Sequence, residues 1–198
     1  MTDERLDELE IPLMVNQNTA RLGTAFCVTI EAKYSTSTGI SANDRSNTVL
    51  AAIDPRTKPS DLARPGHMFP LRAQSGGVLV RAGQTEAAVD LARIAGLYPA
   101  GVICEIMRDD GTMARLPELV AFAQFHNLKI GAIDELIAYR RVTETFIERV
   151  VEKPFDVRAG EGFRLVLFRN TLDGVEHVAL VKGDIRPDVP VLVRVHRV

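Results

Sequence analysis

"GGVLVRAGQTEAAVDLARIAGLYPAGVICEIM", residues 76–107, decides the fold class. Its opening, GGVLVR (76–81), reads as a short strand, and its close, AGVICEIM (100–107), as an apolar one. Between them a polar loop runs into a helix that sets Ala88, Leu91 and Ala95 on one side. That helix stops at Gly96, a residue type suited to the position just past a helix end. A strand, a helix and a second strand at this spacing imply sheet and helices packed in layers.

The alternation continues in both directions. Upstream, TDERLDEL is a short helix capped by Thr2 or Asp3, with Leu6 and Leu9 inward. GTAFCVTIEA (23–32) alternates, placing Phe26, Val28 and Ile30 on one strand face. The polar loop YSTSTGISANDR follows, where Ser41 or Asp44 caps the helix RSNTVLAAI. Residues 53–70 are rich in proline and charge and read as a long connection. Downstream come the turn RDDGT, the helix LPELVAFAQFHN opened by Pro117, the strand LKIGAI, and the helix DELIAYRR capped by Asp134.

The prediction is an α+β domain over residues 1–141, a mixed sheet with packed helices. Residues 142–198 differ. VTETFIERVVEKPFDVRAGEG reads as a connector or edge strands, Asp173–Gly174 as a hairpin turn, and VPVLVRVHRV (189–198) as a third strand. This predicts a partial C-terminal β region.

Composition narrows the function classes. The chain has 198 residues, 46% hydrophobic and 25% charged, with net charge −2 and no block of like charge. Neither a nucleic-acid nor a membrane partner is expected. Cys27 and Cys104 sit in apolar runs and read as small buried hydrophobes; two isolated cysteines make no zinc cluster. The acidic start MTDERLDELE has no apolar core, and no run approaches the roughly 18 apolar residues of a membrane span. A cytoplasmic protein is expected.

Polar residues concentrate beside glycines in TGISANDR (38–45), RPGHMFPLR (64–72) and RAGQTE (81–86). In the last, Arg81, Gly83 and Thr85 surround a helix N-terminus, where free N–H groups and the dipole favour an anion. Gln84 beside them forms hydrogen bonds but carries no proton. Glu105, within GVICEIM, is either a functional acid or a strand end facing water. His67 also reads as a turn residue, Arg81 as a surface arginine, and Asp44 as a helix cap sooner than as a catalytic acid. Singly, none of these names a reaction.

In order, however, TGISANDR, RPGHMFPLRAQSGGVLVRAG, TEAAVDLARIAG, PAGVICEIM and DGTMARLPELVAFAQFHNLKI resemble 3,4-dihydroxy-2-butanone 4-phosphate synthase, over about residues 2 to 141. The resemblance implies the conversion of D-ribulose 5-phosphate to L-3,4-dihydroxy-2-butanone 4-phosphate plus formate, a step of riboflavin biosynthesis that uses Mg²⁺ or Mn²⁺. It implies catalytic roles for His67 and Glu105 and substrate contacts from Arg81, Gly83 and Thr85. Thr38, Ser41 and Asp44 would lie in a loop near the site at a dimer interface. The tail, GEGFRLVLFRNTLDGVEHVALVKGDI followed by VLVRVH, resembles the opening strands of GTP cyclohydrolase II. The zinc-binding cysteines of that enzyme lie beyond such strands, so neither zinc nor cyclohydrolase activity is expected here.

Two departures stand out. The family's N-terminal segment, with a motif of the type Arg-Glu-Asn-Glu-Gly-Asp, has no counterpart, so residues 1–141 are expected to be N-terminally truncated. The family loop Arg-x-Gly-His-Thr-Glu carries a metal-binding histidine where this chain has Gln84. A glutamine oxygen can meet Mg²⁺ but cannot replace imidazole in moving protons. Two readings follow: a synthase completed by further chain or by another copy, or a non-catalytic sugar-phosphate-binding or dimer-partner module. Catalysis by this chain alone is not expected.

Overall fold

The computed structural model describes residues 1–158 and 160–196, in two units, Met1–Thr143 and Glu144–Val198. In the first unit the elements run α1 (Asp3–Glu8), β1 (Ile30–Ala32), α2 (Ala42–Ile53), β2 (Leu62–Met68), α3 (Gln84–Ile94), α4 (Leu116–Phe125) and α5 (Ile133–Thr143). β1 and β2 pair antiparallel. The second unit is an antiparallel sheet of β3 (Ile147–Val157), β4 (Gly160–Asn170) and β5 (Glu176–Lys182), with β4 in the middle. The α+β expectation holds, with the sheet content in these two small ladders.

Local chemistry starts the helices. Thr2 caps α1 by accepting from the Arg5 N–H, and Ser41 caps α2 by accepting from the Asp44 N–H. Leu6, Leu9 and Ile11 then meet Cys27, Ile30, Ala52 and Leu62 in the core of the first unit. Each such leucine or isoleucine contributes about 1.5–3 kcal/mol when fully buried. The Arg5 guanidinium, itself buried, ends α2 by donating to the carbonyls of Ala52 (2.9 Å) and Asp54 (2.5 Å). Cations at a helix C-terminus also meet the negative end of its dipole. Farther along, buried Arg140 of α5 donates to buried Asp90 of α3 at 2.9 Å.

Several sequence expectations give way. GGVLVR is a 3₁₀ turn over Gly77–Leu79, because the Asp90 carboxylate takes the Val78 N–H at 2.9 Å and Gly76 and Gly77 both adopt positive φ. AGVICEIM and residues 128–132 form no ladder: strand pairing needs a partner, and among the described residues only Met107 finds one, in a single bridge to Met113. Ile133 begins α5, so Asp134 lies in its first turn rather than at its cap. Of residues 23–32 only Ile30–Ala32 is laddered, and Cys27 rather than Phe26 is buried.

The supposed connection 53–70 contains β2. On α3 the buried face is Thr85, Glu86, Val89 and Asp90, while Leu91 is exposed, because the Asp90 and Glu86 carboxylates are satisfied inside. Cys104 is exposed; buried Cys27 has its thiol pKa raised by desolvation. The hairpin forms, with Gly174 at φ 71°. No strand forms over 189–196, and the last two residues of the expected third strand lie outside the described ones.

Candidate functional site

Two polar clusters form in the first unit. The first grows from an irregularity in the β1–β2 ladder. Ile30 faces Met68, yet the next residue, Glu31, faces Ala63, so Arg64–His67 are looped out. Gly66 makes this possible: its N–H donates to Thr29 Oγ1 at 3.1 Å, and its Cα lies against the Ile30 carbonyl with no room for a side chain. The loop returns His67 onto Glu31, with Nδ1 2.5 Å from Oε2. The imidazole is 46% exposed and the carboxylate 18%.

The 38–45 loop joins the same cluster. Asp44 is buried, and its Oδ2 accepts from Ser37 Oγ and from the Gly39 N–H, both at 2.9 Å. The Ser37 hydroxyl, with the Gly39 amide behind it, holds the Asp44 carboxyl below its ordinary pKa. Gly39, at φ 80°, is pressed against the Glu31 carboxylate. Ser41 and Asp44 thus shape the loop, and Thr38 is exposed on it.

The second cluster lies at the start of α3. Gly83 is the N-cap and offers no side chain, so among the described residues no capping side chain takes the first helix N–H groups. Thr85 is buried. Arg81 Nη1 donates to Glu86 Oε2 at 2.6 Å, and Nη2 to the Leu22 carbonyl at 3.2 Å. Glu86, 1% exposed, also accepts the Gln74 N–H at 3.0 Å. Gln84 Nε2 donates to Glu105 Oε1 at 2.8 Å. That bond is the main reason the exposed Glu105 carboxyl is held below its ordinary pKa. A cleft of about 190 Å³ is lined among others by Ile30 and Met68 of the β1–β2 ladder, by Thr85 of α3 and by Ile103.

The structure therefore brings Gln84 to Glu105, and His67 to the 38–45 loop through Glu31. Among the described residues no hydrogen bond joins the two clusters. Sequence reasoning missed Glu31 and Glu86. The one available signal for Glu31 was its position between Ile30 and Ala32, which puts it on the opposite strand face. A divalent cation such as Mg²⁺ wants several oxygen ligands. Gln84 turns its amide nitrogen to Glu105, and no cluster of three or more His, Cys, Asp or Glu is placed to hold a metal among the described residues. These residues by themselves do not fit the ion.

Residues 1–139 match the family 3,4-dihydroxy-2-butanone 4-phosphate synthase, and residues 148–198 match GTP cyclohydrolase II. The riboflavin biosynthesis protein RibBA of Synechocystis is 56% identical over 99% of this chain, which spans 36% of that protein. RibBX of A. baumannii, a two-domain 3,4-dihydroxy-2-butanone 4-phosphate synthase, superposes with a TM-score of 0.80 at 48% identity, covering 92% of this chain and 54% of that one. A 3,4-dihydroxy-2-butanone 4-phosphate synthase solved with two magnesium ions gives 0.65 at 40% identity, covering 72% of each chain.

Proposed function

The chain belongs to the 3,4-dihydroxy-2-butanone 4-phosphate synthase family of riboflavin biosynthesis, and we propose that it carries the sugar-phosphate site of that family's reaction. The substrate is D-ribulose 5-phosphate, and the products are L-3,4-dihydroxy-2-butanone 4-phosphate and formate. The observation that carries this reading is the start of α3, where Arg81, Gly83 and Thr85 adjoin the hydrogen-bonded pair Gln84–Glu105.

The phosphate lies at the open N–H groups of α3, opposite the Arg81 guanidinium. Glu105, held ionised by Gln84, takes a proton from the sugar during enolisation. His67 is the second proton carrier, serving the later steps of rearrangement and formate loss. Thr38 reaches the sugar from the loop that Ser41 and Asp44 shape. A magnesium-bound structure in the family supports a metal requirement there, but Gln84 and Glu105 alone do not fit the ion.

A second copy of the chain, or a complete synthase, pairs with the first unit. The exposure of Val102, Met107, Phe125 and Ile130 supports such a partner. The setting is the cytoplasm, in keeping with the absence, among the described residues, of any helix long and apolar enough to cross a membrane.

A titration with D-ribulose 5-phosphate, with and without Mg²⁺ and with formate measured in parallel, tests the proposal. Metal-dependent binding with formate release supports the synthase. Metal-independent binding without formate assigns instead the module that Gln84, in the family's histidine position, favours.

A further inference from the structure

We propose that Glu31 is a positioning residue that fixes His67 as its Nδ1–H tautomer and so presents Nε2 as the proton-accepting nitrogen of the ring. The 2.5 Å approach of Nδ1 to Glu31 Oε2 carries the inference. An ionised carboxylate only accepts hydrogen bonds, so the ring nitrogen facing it must hold the proton. In a neutral imidazole the other nitrogen then keeps the lone pair. When Nε2 takes up a proton, the ring becomes imidazolium with Nδ1–H still on Glu31.

The surroundings show why Glu31 does not swing away. It stands on β1 between buried Ile30 and Ala32, which fixes the face it occupies. Gly39 of the 38–45 loop closes on its carboxylate from the other side, so tightly that a Cβ at that position would collide with it. His67 arrives on the opposite strand only because the ladder jumps register between Ile30 and Glu31. Glu31 thereby joins two loops that the sequence presents as separate motifs, the glycine-containing 38–45 loop and the RPGH loop.

The consequence for turnover rests on the function proposed above; the tautomer itself does not. The test is ¹⁵N NMR of the full chain with labelled histidine, at alkaline pH where imidazole is neutral, with His67 among the four histidines identified by the signal lost in His67→Gln. The wild type is expected to show Nδ1 protonated and Nε2 bare. Glu31→Gln, which retains an accepting oxygen, keeps that pattern. Glu31→Leu, similar in size without an acceptor, loses it and shows the Nε2–H form. A wild-type ring protonated on Nε2 overturns the proposal, as does an unchanged pattern in Glu31→Leu. Parallel formate assays separate the two ideas: the expected tautomer pattern without formate release upholds the positioning role and removes the synthase reading.

Discussion

Replacing Gly66 by alanine tests how the chain brings His67 to Glu31. A Cβ on Gly66 would lie well under 3.0 Å from the Ile30 carbonyl and the Glu31 amide nitrogen, both of them β1 backbone. Neither atom belongs to a flexible side chain, so the two strands must part. Overpacking of this kind costs about 1–3 kcal/mol, and a rigid backbone neighbour puts Gly66→Ala near the upper end. Parting also threatens the 3.1 Å bond from the Gly66 N–H to Thr29 Oγ1, worth about 1 kcal/mol. The expected total, about 3–4 kcal/mol, is a large share of a typical domain's 5–15 kcal/mol.

Gly96→Ala supplies the comparison. That glycine sits at φ 71° past the end of α3 with no atom within 4 Å of a new Cβ. Its substitution incurs only the left-handed backbone penalty, about 1–2 kcal/mol. Urea unfolding followed by tyrosine fluorescence suits the measurement, since there is no tryptophan and Tyr34, Tyr98 and Tyr139 all lie in the first unit. If Gly66→Ala unfolds at the same urea concentration as Gly96→Ala or higher, the close packing of the RPGH loop on β1 is refuted.

Two predictions concern Gln84. Gln84→Ala removes the main cause of the depressed Glu105 pKa, so carboxyl NMR should show that pKa rising toward the ordinary value. A depressed carboxyl contributes stability above its unfolded pKa and loses it as pH falls through the folded one. The Glu105–Gln84 contact should therefore persist at neutral pH and fail only in acid; an unmoved Glu105 titration in Gln84→Ala would contradict this. Gln84→His supplies an imidazole where the family loop has one, and formate release from D-ribulose 5-phosphate with Mg²⁺ should rise by at least about tenfold. No gain would mean that Gln84 is not what limits the reaction.

The parts legible in sequence were those with local causes. Thr2 and Ser41, each one of two cap candidates in the sequence, accept from backbone N–H groups three residues on. Pro117 fits the first turn of α4, where its missing N–H costs nothing, and Gly96 takes the positive φ past the end of α3. The motif residues were also legible, and the structure joins Gln84 to Glu105 across 21 positions. Pairing was not: AGVICEIM and LKIGAI carry the apolar runs of strands, but a ladder depends on a partner that no local pattern specifies. The buried face of α3 was misread because Glu86 and Asp90 look like surface acids until Arg81, Arg140 and two backbone amides are placed against them. Glu31 escaped notice for the same reason, since its partner lies 36 residues away beyond a register jump.

The most direct test of the central claim is the affinity of the full chain for D-ribulose 5-phosphate, by calorimetry, in the wild type and in Arg81→Lys. Lysine keeps a positive charge beside Glu86 but loses the planar fork that meets a phosphate with two bonds. A sugar-phosphate site at the start of α3 predicts saturable binding that weakens by about tenfold or more in the variant. Equal affinity in the two proteins, or no binding by the wild type, would contradict it.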